Sequence, residues 1–198
     1  MRQTLQTAVI AAVVSILTVK ASAIYQKTTD LVSSNSTPPK GFWQTPTIEG
    51  YGKIHDRPMA AFRPDSSQHY KVVFQIQNGH QPKQSVNSEL DHVARTVNLY
   101  VAAGVPLQNL KFVVAIAGSA TPVVLDNQHY HEKFGVDNPN LPLIARLKQA
   151  GIIVSVCDQA VAGHNYPFDW VDNNVTHALS NLTTVTTLQQ QGYVLMPM

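Results

Sequence analysis

The segments between Lys71 and Met196 predict an α/β fold, a three-layer α/β/α sandwich around a mostly parallel sheet. Two observations carry this. Short apolar, β-branched runs at 71–77, 110–117 and 151–157 alternate with stretches whose apolar positions recur at helical spacing. The run from Leu110 to Ala117 is continuously apolar, as expected of a strand covered by helices on both faces. An extended arm precedes this domain.

In chain order, Lys71–Gln77 reads as the first strand, closed by Gly79-His80-Gln81-Pro82. Val86, Leu90, Val93, Val97, Tyr100 and Val101 then keep a 3.6-residue period, with Ser88 and Asp91 as an N-terminal capping box. Gly104 and Pro106 end that helix. After the second strand, Gly118-Ser119-Ala120-Thr121 is a tight turn of small residues. Pro122–Asn127 and His129–Phe134 read as short helical pieces, and Gly135–Asn140 as a loop. Leu141–Ala150 is a helix stopped by Gly151. The strand Gly151–Cys157 follows, then one or two helical turns over Asp158–Gly163, broken at Asn165-Tyr166-Pro167. Val175, Ala178, Leu179, Leu182, Val185 and Leu188 mark a last helix, and Tyr193–Met196 a last strand. Such β-α alternation is the pattern of a mostly parallel sheet.

The N-terminus begins with Met1-Arg2, an apolar run from Thr7 to Val19, and Ala21-Ser22-Ala23. A charged start, a short apolar run and a small-residue cleavage site predict a signal peptide over 1–23, cleaved after Ala23. The run is shorter than the ~20 apolar residues that span a bilayer, so no membrane attachment is expected after cleavage. Of the 14 basic side chains, Arg2 and Lys20 lie in this stretch, which holds no acid; losing both leaves 12 basic against 12 acidic groups. A chain of zero net charge without a clustered basic face is not expected to bind nucleic acid. Residues 24–70 read as the extended arm, with turn chemistry at Ser33–Pro39 and packing by Trp43, Tyr51 and Phe62. Residues 71–198 form the α/β domain.

Cys157 is the single cysteine and falls at the end of an apolar strand. Ligands of open α/β sheets gather at the carboxyl ends of strands. A lone cysteine in an exported chain signals a reactive thiol or an intermolecular bond; the alternative is a small buried hydrophobe. A helix starting at Asp158 would favour a thiolate at its N-terminus by ~0.3–1 kcal/mol, and the adjacent Asp158 carboxylate would oppose it. His164 is the nearest histidine in sequence, where its charge could help the thiol, and it also reads as a solvated loop residue. His80, Ser119 and Thr121 lie at strand ends and, with Asp158 and His164, are pocket candidates. His129 and His131, two apart on a helix, point to different faces and lack further ligands at metal spacing, so no metal is expected. Asn78-Gly79 and Gly118-Ser119 fall short of a phosphate-binding pattern, so no cofactor is expected.

Five segments together resemble the DsrE/DsrF-like family in its exported branch. They are Val93–Tyr100, Ala103–Pro106, Phe134–Leu141, Val156–Gln159 and Thr186–Tyr193. The resemblance implies a compact α/β/α sandwich that assembles as a homo-oligomer, a trimer or hexamer, with a place in sulfur relay. It also implies that Cys157 matches the cysteine that takes up a persulfide and passes it to a protein or small thiol. Where many relatives carry a His-Gly pair after the second strand, this chain has Ala117-Gly118. The expectation is an exported, periplasmic persulfide carrier or sulfurtransferase using Cys157. The competing expectation is a non-catalytic oligomeric binding or assembly module in which Cys157 is structural.

Overall fold

Five strands pair in the order β4-β3-β2-β1-β5. They are β1 (Tyr70–Ile76), β2 (Leu110–Ile116), β3 (Ile153–Cys157), β4 (Thr176–Ala178) and β5 (Val194–Pro197). Every pairing is parallel. The computed structural model describes residues 38–198 apart from Pro82. The expected signal peptide and the arm through residue 37 lie outside the described residues. Residues 41–198 form one compact unit, and among the described residues no helix is long and apolar enough to cross a membrane.

Strand alternation sorts the core into two faces. Val72, Phe74 and Ile76 of β1 pair with Phe112, Val114 and Ile116 of β2. These side chains meet α1 (Ser88–Ala102) through Leu90, Val93 and Val97, and α3 (Leu141–Gln149) through Leu143, Ile144 and Leu147. Phe74 and Phe112 meet edge-on at 5.3 Å. Val73 and Ala115 face the other way, where α5 (Asn181–Gln190) covers them with Val185 and Leu188. Two shorter helices, α2 (Asn127–Phe134) and α4 (Asp158–Gly163), follow β2 and β3. Helices on both faces of a parallel sheet give the α/β fold expected from the sequence, with the sheet wholly parallel.

The last expected helix is shorter than its pattern suggested. Thr176–Ala178 pair with Ser155–Cys157 as the edge strand β4, and α5 starts only at Asn181. Leu179 and Leu182, which completed the apparent helical period, are 70% and 76% exposed. Ser180 makes the boundary, since its hydroxyl accepts from Leu182 N. The first helix is also capped differently from the expected Ser88–Asp91 box. Asn87 is the N-cap and accepts from Leu90 N at 3.0 Å, while Ser88 Oγ accepts from Gln81 Nε2.

Residues 41–69 contain one isolated antiparallel bridge, Gln44–Ile54. Of the three aromatics expected to pack this region, only Tyr51 reaches the core. Trp43 and Phe62 are exposed, and Ile48 and Ile54 are the buried anchors. The segment is held by a polar tie. Asn98 of α1, fully buried, accepts from Thr47 N and Ile48 N and donates to the Tyr51 and Gly52 carbonyls. Its amide thereby satisfies both lone pairs and both donors, which is what burial of such a group requires.

Candidate functional site

Cys157 closes β3 at the carboxyl edge of the sheet and is 7% exposed. Its register partner is Ala178 of β4. Alternation puts Ile153, Ser155 and Cys157 on the α5 face. There, Ile153, Ser155, Ala178, Thr184 and Leu188 line a cleft of about 370 Å³. The cleft has no charged side chain in its lining. Cys157 follows Ser155 on this face and lies beyond the lining residues, with Sγ 4.0 Å from Ser180 Oγ at the start of α5.

Ala117 continues β2 beyond the Ile116–Val156 pair, and its N–H still donates to the Ile76 carbonyl. It is therefore beside Cys157 on the same face, the place where a histidine would adjoin the thiol. The nearest acid–base pair lies elsewhere. His177 Nδ1 donates to Asp158 Oδ1 at 2.6 Å. His177 pairs with Val156, whose side chain enters the α1/α3 core, so its ring belongs to the face opposite the thiol, edge-on to Phe168 at 6.0 Å. The bond ties β4 to the residue that follows Cys157.

The other candidates gather around the turn after β2, now a 3₁₀ segment over Gly118–Val124. Ser119 Oγ donates to Gln77 O and accepts from Gly79 N. The buried Thr121 hydroxyl donates to Gly118 O. His164 Nε2 lies 2.9 Å from Gly118 O and donates to it in the matching tautomer, and its ring stacks on Tyr166 at 5.2 Å. These three side chains tie the β1 and β2 loops and the end of α4 together. His80 is exposed. The structure thus brings Ser119, Thr121 and His164 together around the Gly118 turn. His129 and His131 also separate. His129 binds Asp126 and stacks on Trp170 at 4.3 Å, whereas His131 binds Asp137.

Sequence reasoning missed three features. Ser180 and His177 were read inside a helix, so neither was placed near the end of β3. An asparagine relay also escaped notice, although it occupies the loop read at 135–140. Asn138 Nδ2 donates to the Val123 and Leu125 carbonyls, and its Oδ1 accepts from Asn140 N and Nδ2. Asn140 Oδ1 in turn accepts from Asn87 N. All three asparagines are buried, and they join the loop after β1 and the end of the 3₁₀ segment after β2 to the starts of α1 and α3. Tyr130 packs beside them, donating to Lys83 O at 3.0 Å; burial lifts its phenol above the ordinary value. The pocket lined by Tyr130, Asn87 and Asn140 measures only about 20 Å³, room for about one water.

A search of the curated proteins finds no match. Among solved structures the chain is similar to a protein of unknown function, MTH1491, from Methanobacterium thermoautotrophicum. The two share 14% identity at a TM-score of 0.46, over 65% of this chain and 99% of that one. The model of the DsrE/DsrF-like family matches residues 70–197, from the first residue of β1 through the last of β5, and on that match the chain belongs to the DsrE/DsrF-like family.

Proposed function

We propose that Cys157 carries sulfane sulfur as a persulfide within the sulfur relay associated with this family. The observation that carries the reading is the position of the single thiol at the carboxyl end of β3, the edge where α/β sheets present their chemistry. In the first step the Cys157 thiolate attacks the outer sulfur of a donor persulfide, R–S–SH. A new S–S bond forms on Cys157, the donor's S–S bond breaks, and the donor leaves as R–S⁻. Delivery to an acceptor thiolate repeats the exchange in the other direction, with no net oxidation. A lone cysteine suits this task, since no second thiol in the chain can discharge the persulfide as an internal disulfide.

Exposed Ile153 and Leu179 in the lining of the cleft support assembly of copies over this face, since exposed apolar surface marks interaction sites. The arrangement of Arg2, the 7–19 apolar run and Ala21–Ala23 supports export to a periplasm. Intact-mass measurement of protein from its native host tests the export reading, with Ile24 as the expected first residue.

The decisive experiment is mass spectrometry after incubation with polysulfide. A gain of one sulfur on Cys157, absent in Cys157→Ser, is expected. The burial of Cys157 favours the second reading, a non-catalytic module in which the thiol only packs. A Cys157 that gains no sulfur and reacts with alkylating reagents far more slowly than a free model thiol would establish that reading instead.

A further inference from the structure

A larger cavity lies at the opposite edge of the sheet from Cys157, where β1 begins and α1 ends. It measures about 700 Å³, within the ~300–1,000 Å³ of small-molecule sites. Tyr70, Leu99, Tyr100 and Ala103 form one wall, and the loop over 55–64 forms the other. The first wall is anchored in the core: Tyr100 meets Tyr70 edge-on at 4.7 Å and Phe112 at 5.4 Å. The Tyr70 hydroxyl is engaged, donating to Asp65 O. Among the described residues the Tyr100 hydroxyl has no hydrogen-bond partner, so a donor is left over on the cavity wall.

The charges in the loop are unequal. Arg63 is neutralised by Asp56 at 2.8 Å and donates further to the Arg57 carbonyl. Arg57 also lines the cavity, and among the described residues no carboxylate lies within salt-bridge distance of its guanidinium. Apolar surface is left open beside it. Leu99 is 44% exposed and Phe62 fully exposed, the latter at φ +56°, a conformation that costs a bulky L-residue energy. An apolar body in the cavity would cover Phe62 and Leu99, and an anionic end would pair with Arg57.

We propose that this cavity binds a small amphipathic anion, an aromatic or aliphatic body ending in a carboxylate or sulfonate, with Arg57 holding the charged end. The site shares no residue with the Cys157 cleft and stands independently of the sulfur reading.

Fluorescence titration with 1-anilinonaphthalene-8-sulfonate and its uncharged counterpart N-phenyl-1-naphthylamine tests the proposal. The full chain should bind one sulfonate probe saturably. Arg57→Ala, an exposed position that leaves the fold intact, should weaken the sulfonate about 5-fold, the upper range for one partly exposed ion pair, and the neutral probe less than 2-fold. Ala103→Phe should weaken binding of both by placing a ring where the probe's body would lie, with circular dichroism confirming that it folds. The proposal is overturned by an absence of saturable binding, by equal weakening of both probes in Arg57→Ala, or by full binding in a folded Ala103→Phe.

Discussion

His177 Nδ1 and Asp158 Oδ1 lie 2.6 Å apart although 19 residues separate them in the chain. The bond joins β4 to the residue after Cys157. Its loss in His177→Ala should change stability by less than about 1 kcal/mol, as for other partly exposed pairs, and urea unfolding measures it. A larger loss would mean that the pair pins the edge strand to β3.

Asn138 is the hub of the buried relay, with its amide bonded to two carbonyls and to Asn140. Asn138→Ala should cost about 2–4 kcal/mol, since each buried group left without a partner costs ~1–3 kcal/mol. Asn138→Leu should do no better, because restored volume does not replace the lost bonds. Urea unfolding of the variants measures both. A loss below about 1 kcal/mol would mean that water replaces the side chain.

Gly52 sits at φ +58°, and a Cβ there would overlap the backbone of Ala94 and Arg95 in α1. Its N–H donates to Asp91 Oδ1 at 2.8 Å, so the close approach is fixed by a bond. Gly52→Ala should cost more than about 2 kcal/mol, from the left-handed backbone and the displaced turn together. The melting temperature reports it. Gly135→Ala, where nothing lies within 4 Å of a Cβ, isolates the backbone part and should cost less.

Two aspartates contribute to the acid limb of stability. The Arg63 hydrogen bond holds the Asp56 carboxyl below its usual range, and the Ser67 N–H does the same for Asp65. A group depressed in the folded state contributes stability above its unfolded value, ~3.9, and loses it as pH falls through the folded one. Denaturant midpoints should therefore fall below about pH 4, less steeply in Asp56→Asn. At the other extreme, burial raises the phenols of Tyr100, Tyr130 and Tyr166. Their contribution is complete below pH ~10 and is lost as pH rises toward the folded values, because the unfolded chain ionises first. Tyr130→Phe should make that alkaline loss less steep.

Leu179, just before α5, lines the cleft and is largely exposed. If copies of the chain assemble over this face, Leu179→Glu should shift the light-scattering mass toward the monomer without altering the circular dichroism. An unchanged oligomer would place the interface elsewhere, and a monomeric wild type would end the assembly reading.

The sequence by itself determined the α/β class, because the apolar period of 2 or 3.6 reports which faces are buried regardless of the partner. It located β1, β2, β3, α1 and α3 to within a few residues, and it put Cys157 at a strand end. It could not distinguish β4 from the first turn of α5. Thr176–Ala178 is a strand only because Ser155–Cys157 supplies its hydrogen bonds, a non-local pairing that leaves no local period. Only the tertiary structure decided which face each candidate occupies. Parallel register sends Cys157 toward α5 and His177 toward α1 and α3, so neighbours at the strand ends work on opposite sides of the sheet. The asparagine relay was hidden for the same reason. Asn87, Asn138 and Asn140 are ordinary loop residues until the fold buries them, and burial is what makes their hydrogen bonds obligatory.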